Sequence, residues 1–419
     1  MRFILKLLVL LCLMTAIGSA QWFKDPFRFP EENTLVGGIG YTFIDDTAYT
    51  TITFAPELSF GKFGVGLNLQ FLMNSDNEFK LRKDEYQDGP GVFRAIRYLR
   101  LGQKYDEYFF RFGALDRASL GNGFLVWNYN NSTNYDKRRL GLVADIDFGQ
   151  FGFESVVGSM TSSTIQGYNV YARPFRFLNS DNYLLKNFRV HGTYARDNSA
   201  PDGEEKTSVS AYGFGADLRI IDLPLLKSHL YADYGKFEDL GDGKAVGVNL
   251  IFPEFYGLFG LSASFERRFI GEQFIPNYFG PLYELERQIG ALDSLRNAEA
   301  TAGYFGQLVG HVTDKIRMIG SYTYLTDVEG GGAVHLEASA PELVPRFELR
   351  AYYDKFGIET LDELRTLDAR SVASAEVNYE LNSFLLLSTT YRWYWVETEP
   401  RVFKPRERIE PRLLFRYRF

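Results

Sequence analysis

The chain has 419 residues and a formal charge of −7, and its four histidines and single cysteine leave little material for metal or thiol chemistry. The acidic balance argues against nucleic acid as a partner. Its 27 tyrosines, 37 phenylalanines and 39 glycines stand beside a slightly negative mean hydropathy of −0.20, which fits a membrane wall with every second residue facing lipid better than two or three soluble domains.

Residues 1–20 read as a secretory signal peptide. Arg2 and Lys6 give a positive start, Leu7 to Met14 is apolar, and Gly18-Ser19-Ala20 supplies small residues for cleavage near Ala20. The apolar run is shorter than the ~20 residues a spanning helix needs. Cys12 lies inside it with Leu11, not a small residue, before it, which disfavours a lipid-modified cysteine. Cleavage would remove the cysteine and two cations, leaving a mature charge of −9. Residues 21–33 form a short lead.

From Thr34 to the end, alternating segments of about ten residues are separated by turn chemistry, the spacing of transmembrane strands. The connectors come in two alternating classes. Gly61-Lys62, Lys104-Tyr105-Asp106, Gly149-Gln150, Pro253-Glu254, Asp314-Lys315 and Asn382-Ser383 are short. Asn74–Pro90, Asp116–Lys137, Arg196–Lys206, Phe274–Glu299, Asp354–Arg370 and Glu397–Arg408 are long and polar. This asymmetry predicts one all-β domain over 34–419: a single transmembrane antiparallel β-barrel of about 18–20 strands with short periplasmic turns and long outer loops.

The register follows from parity. Tyr108, Phe110 and Phe112 oppose Phe109, Arg111 and Gly113. Phe347, Leu349, Ala351 and Tyr353 oppose Glu348, Arg350, Tyr352 and Asp354. Leu385, Leu387, Tyr391, Trp393 and Trp395 oppose Ser388, Thr390, Arg392 and Tyr394, with the three large rings where an aromatic girdle belongs. Arg97 shares parity with Phe93, Leu99 and Leu101, so it either lies near the interface or marks a bulge. Two loops carry helical spacing: Leu282, Leu285, Ile289, Leu292 and Leu295 within Pro281–Ala298, and Ile358, Leu361, Leu364 and Leu367 within Gly357–Ala369. Such stripes need a rim, another loop or the pore mouth to bury them.

The last eight residues put Leu413, Phe415, Tyr417 and Phe419 on one strand face and Arg412, Arg416 and Arg418 on the other. Together with the signal peptide, this strand resembles the C-terminal targeting strand of Gram-negative outer-membrane β-barrel proteins, although it lacks the glycine often found a few residues before the end. The resemblance implies placement in the outer membrane, contact with its lipid and lipopolysaccharide, and Leu413, Phe415, Tyr417 and Phe419 as the signal read by the barrel-insertion machinery. It also implies a porin-like channel for passive passage of small polar solutes or ions. A surface receptor or adhesin with a blocked lumen, or an enzyme at the rim, are the alternatives.

If the aromatic faces meet lipid, Arg94, Arg100, Arg111, Arg117, Arg139, Asp145, Asp147, Asp217, Arg219, Glu348, Arg350, Glu376 and Arg392 line the lumen. Charged rings set ion preference in pores, and the same residues also suit salt-bridge networks that hold a crowded interior. The long segment after Asp116 carries Leu120, Gly121, Asn122, Gly123 and Trp127, a mixture suited to folding inward as a constriction. Gly121 and Gly123 lack a following helix, so they make a weak phosphate cradle. His191, His229, His311 and His335 lack ligand spacing, and there is no G-x-S-x-G elbow, so neither cofactor, metal nor catalytic site is expected.

Overall fold

The computed structural model describes residues 29–45, 47–74, 95–133, 139–162, 164–178, 182–203, 205–255, 258–313, 315–368, 370–399 and 402–419. The expected signal peptide, most of the expected lead, the expected loop Asn74–Pro90 apart from Asn74, and Arg94 lie outside this set. A strand in hydrocarbon must pair every backbone amide and carbonyl, which only a closed sheet allows. The chain meets this demand with twenty antiparallel strands, each paired to its neighbours along the sequence. The third strand is interrupted at Asn68, giving the segments Phe63–Leu67 and Leu69–Asn74. The first strand, Thr34–Ile44, pairs with both Thr47–Phe60 and the last strand, Val402–Arg418, and so closes the barrel.

Parity behaves as the pattern predicts. In Tyr108–Gly113, Phe109, Arg111 and Gly113 are buried and Tyr108 is exposed. Ile39, Tyr41, Ile52, Phe54, Tyr168, Val170, Phe214, Leu230, Phe265 and Leu387 are among the large apolar side chains on the outer surface. In water each would forfeit roughly 1.5–3 kcal/mol of burial; against lipid tails they do not. Leu413, Phe415, Tyr417 and Phe419 belong to this outer surface, on the strand that seals the sheet.

Arg97 is the extra residue of a bulge: Gly66 opposes Tyr98, but Leu67 opposes Ile96. The kink turns its guanidinium out of lipid parity, to an ion pair with Glu57 and a position 5.2 Å from the Tyr98 ring.

Several connectors differ from the sequence reading. Pro253 and Glu254 are inside the strand Asp242–Phe255, so that turn comes later. Arg196–Lys206 is mostly strand: Phe188–Asp202 and Glu205–Leu223 run on as a long hairpin. Most of Glu397–Arg408 likewise belongs to Leu385–Glu399 and Val402–Arg418. The inner faces of these hairpins bury charged residues, Asp197 on the first and Arg408 on the second, so the apolar alternation that marks a strand disappears. Asp354 to Ile358 continues its strand, and the loop after it holds only a 3₁₀ turn, Leu361–Arg365, fixed by the Thr360–Glu363 capping box. Of the expected stripe only Ile358, still within the strand, is buried; Leu364 is half-buried, and Leu361 and Leu367 are exposed. This loop instead reaches the girdle: the Trp393 and Trp395 indoles donate to the Asp368 and Ser371 carbonyls at 3.4 and 3.0 Å, and Trp395 is buried. Two helical turns at the short-turn end, Pro174–Phe177 and Tyr183–Lys186, carried no clear periodicity.

Candidate functional site

The barrel interior is the candidate site, and two long loops fold into it. In the first, a ribbon pairs Asp116–Ala118 with Tyr129–Asn130, bringing the ends of the intervening segment together. Asn128 N–H also donates to Ser119 Oγ at 2.9 Å. Leu120, Phe124, Leu125, Val126 and Trp127 are all buried. The segment is tethered to both sides of the lumen. Gly121 N–H donates to Glu154 Oε2 at 2.8 Å, and Asn122 Nδ2 to Asp233 Oδ2 at 3.1 Å. Trp127 meets Phe305 and His335 edge-on, with centroids 5.4 and 5.6 Å away, on the other side. Arg117, part of the inner ribbon and not of the wall, pairs with Glu337 at 3.3 Å. Gly121 adopts φ +58, where a side chain would be strained and would also strike His191. Gly235 makes room in the wall: an added Cβ would lie 2.9 Å from Leu125 and 3.2 Å from Phe124.

The second inward loop runs between the strands Phe259–Ile270 and Thr301–Val312. The predicted helix is two short ones, Tyr283–Ile289 and Ala291–Arg296, broken at Gly290 with φ +119. Leu282, Leu285, Leu292 and Leu295 are buried and Ile289 is not. Part of the stripe joins Phe124, Leu125, Phe237, Phe274 and Phe279 in one apolar cluster inside the barrel. Leu282 and Leu285 pack toward Val372, Tyr394 and Val396 on the wall. Buried ion pairs fasten this loop. Arg287 donates to both oxygens of Asp197 at 2.7 and 3.0 Å, and the Tyr283 hydroxyl donates to the same carboxylate at 2.7 Å. Glu284 receives Arg139 and the Tyr129 hydroxyl, linking the two loops.

The predicted lumen charges fall into separate groups. Arg100 and Arg111 sit at the short-turn end, where Phe29 of the lead enters the barrel. Arg100 donates to the Pro30 carbonyl at 2.8 Å, and the Phe29 ring lies 4.6 Å from Tyr98 and 4.9 Å from the Arg111 guanidinium. Arg111 pairs with Asp116. Burial raises the Asp116 carboxyl, but Arg111 and Arg117 outweigh it and hold it well below the usual carboxylate range. Asp145 takes Lys104 at 2.6 Å, Asp147 takes Arg173 at 2.8 Å, Asp217 takes Arg189 at 2.7 Å, and Arg219 takes Asp222 at 3.1 Å.

Glu348, Arg350, Glu376 and Arg392 occupy another arc of wall, made by Phe347–Ile358, Ser371–Asn382 and Leu385–Glu399, beside the closing strands. Here Glu410 receives Arg392, Arg408 at 2.8 Å and Arg412 at 3.6 Å, so three guanidinium groups surround one carboxylate. Arg416 grips Glu348 through two 2.6 Å bonds, and Arg350 is exposed. Parity had identified Arg350, Arg392, Arg412 and Arg416 of this arc, but Arg408, read as the end of a loop, and Glu410 as the hub had not been singled out.

The histidines are dispersed. His191 lies 3.2 Å from Asp233, and His335 Nδ1 lies 2.8 Å from Asp354. Near the latter pair, burial and the Asp354 charge push the Glu286 carboxyl up to about 7. A free glutamate ionises near 4.3, so docking of the Tyr283–Ile289 helix is unopposed below that pH and weakens as pH rises through about 7. Current fluctuations from loop movement are expected to increase between pH 5 and 8 in planar-bilayer recordings. Glu286→Gln should flatten that dependence, and an unchanged profile in the variant would assign the titration elsewhere.

No protein-family profile and no curated protein matches the chain by sequence. Among solved structures it is similar to OccAB4 of Acinetobacter baumannii, at 11% identity and TM-score 0.34, over 96% of this chain and 100% of that one. It is also similar to OccK10 (OpdN) of Pseudomonas aeruginosa, at 11% identity and TM-score 0.36, over 93% and 98%. CdiB from Acinetobacter baumannii shows 8% identity and TM-score 0.28, over 93% of this chain and 60% of its own.

Proposed function

We propose that the protein is an outer-membrane channel for the passive passage of small polar or ionic solutes, with a preference for anions. The supporting observation is a charged stretch of lumen wall: the second inward loop meets Val372, Tyr394 and Val396, and the Glu348–Arg416 and Glu410–arginine groups lie nearer the short-turn end of the same strands, outside the apolar clusters. Around Glu410 the positive charges outnumber the negative, and a local field of that sign raises the concentration of anions in a narrow path. Leu120, Gly121, Asn122, Gly123 and Trp127 form the constriction in this reading. The short-turn end then faces the periplasm, and Leu413, Phe415, Tyr417 and Phe419 serve the insertion machinery.

The apolar cluster inside the barrel favours one competing reading, a receptor whose lumen is blocked, because its residues are buried as in a domain core. Recording refolded mature protein in a planar bilayer under asymmetric salt separates the two. Discrete current steps with an anion-selective reversal potential support the channel, and a folded but silent barrel supports the receptor. Within the channel reading, Arg350→Gln combined with Arg412→Gln should move the reversal potential toward the cation side. An unmoved potential would remove this arc from the ion path.

A further inference from the structure

The outer surface carries cations where lipid is expected. On Leu226–Phe237, Tyr234 and Lys236 share outward parity with exposed Leu230. Lys244 stands opposite Tyr234 and is outward with exposed Val246. Val246 in turn opposes Arg267, which lies between exposed Phe265 and Phe269 on the next strand. Lys244 opposes Phe269, so Lys244 and Arg267 are diagonal neighbours, typically ~7–8 Å apart at the backbone. All three cations lie toward the long-loop end of their strands, among the rings of Tyr234, Phe265, Phe269 and Tyr304.

Arg267 is held in place. Its guanidinium is 4.3 Å from the Tyr304 ring and 5.6 Å from Phe269. Its Nη1 is shielded from solvent and has no hydrogen-bond partner among the described residues. Four acids lie around the group: Asp242 opposes Lys236 and shares the face of Lys244, Glu238 and Asp239 follow Lys236 in the turn, and Glu272 follows the strand of Arg267. Neither Lys244 nor Arg267 is ion-paired among the described residues: Lys244 has Tyr234 and Phe269 as its cross-strand partners, and Arg267 has Val246 and Tyr304. A lipid-facing cation is tolerated near the interface, where it meets headgroups. A fixed guanidinium fork with a lysine beside it suits phosphate oxygens.

We propose that Lys244 and Arg267, flanked by Lys236, bind the phosphorylated headgroup of a glycolipid in the leaflet at the long-loop end. Tyr304 and Phe269 orient the arginine, and Phe265 and Val246 lie beside the acyl chains. The site belongs to the outer wall and does not depend on whether the pore conducts.

Native mass spectrometry of the refolded barrel tests this with diphosphoryl lipid A and its phosphate-free form as probes. The wild type should retain the phosphorylated lipid preferentially. Lys244→Gln with Arg267→Gln should weaken that retention by on the order of tenfold to thirtyfold. Arg267→Lys, which keeps the charge and loses the fork, should fall between, and Lys206→Gln on the neighbouring hairpin should behave as wild type. Heat-modifiable migration checks that each variant is folded. Equal retention of both lipids by the wild type overturns the proposal without any variant. So does a preference that survives in the double variant, or displacement of the lipid by millimolar inorganic phosphate, which would mark a free-anion site.

Discussion

Asp197→Ala is expected to release the second inward loop while leaving the barrel closed. Asp197 is fully buried and binds Arg287 through both oxygens, with the Tyr283 hydroxyl on the same carboxylate. A bulge between Asp197 and Ala200 also brings the Ser199 carbonyl and hydroxyl to the same guanidinium, at 2.8 and 3.1 Å. Removing the carboxylate strands a buried cation, a loss of roughly 3–5 kcal/mol, or at least a hundredfold in the docking equilibrium. The wall keeps its backbone ladder through this strand, so heat-modifiable migration should persist. Trypsin should then cut after Arg287 and Arg296 far faster than in the wild type. Asp197→Asn retains an acceptor but not the charge and should be intermediate. Equal cleavage rates in all three proteins would mean that the loop is held by its apolar contacts alone.

The barrel itself was legible because lipid imposes a rule on every strand. Tyr108–Gly113 had to present one greasy face, and it does; Arg97 broke the rule and proved to be the extra residue of a bulge. Legibility ended where lipid ends. Arg196–Lys206 buries a carboxylate, Asp197, where an apolar residue would mark a strand, so its sequence looks like a loop although its backbone is a hairpin. The stripe at Leu361 and Leu367 has helical spacing, but no surface covers it and only a 3₁₀ turn forms.

Within the lumen, parity placed side chains on the correct face but said nothing about what covers them. Arg100 and Arg111 point inward as expected, yet Phe29 closes over them, a contact across more than seventy residues. The stripe around Leu285 was readable, whereas its anchor, Asp197, is ninety residues from Arg287 and belongs to a stretch that reads as loop. The mixture of apolar residues, glycines and amides around Leu120 did carry a usable signal. Buried inside a polar barrel, such a segment needs side chains for apolar contact and glycines for tight passage, and Gly121 and Gly123 both adopt positive φ.

Replacing Leu120–Trp127 by a short Gly-Ser turn should raise single-channel conductance severalfold. The excised segment reaches from Glu154 and Asp233 on one side to Phe305 and His335 on the other, so in the proposed channel it narrows the solute path. Its ends are already joined: Leu120 N–H donates to the Val126 carbonyl at 3.1 Å, and the Asp116–Ala118 ribbon lies just outside. A short turn can therefore close the gap with little loop-closure cost. The excision also uncovers charge. Arg268 is fully buried, 4.3 Å from the Phe305 ring and 6.0 Å from Phe124, and pairs with Glu266 at 2.7 Å. Removing Phe124 and Trp127 admits water to this neutral pair, and the same excision frees the Glu154 and Asp233 carboxylates, so the charge newly facing the lumen is net negative. Conductance should therefore rise and anion preference fall in the excised barrel, whereas Trp127→Ala alone should give a smaller step in conductance. A barrel that conducts no better after excision would place the narrowing at the Phe29 end or at the Tyr283–Ile289 helix. A rise in conductance with unchanged selectivity would keep the Glu154 and Asp233 carboxylates out of the path.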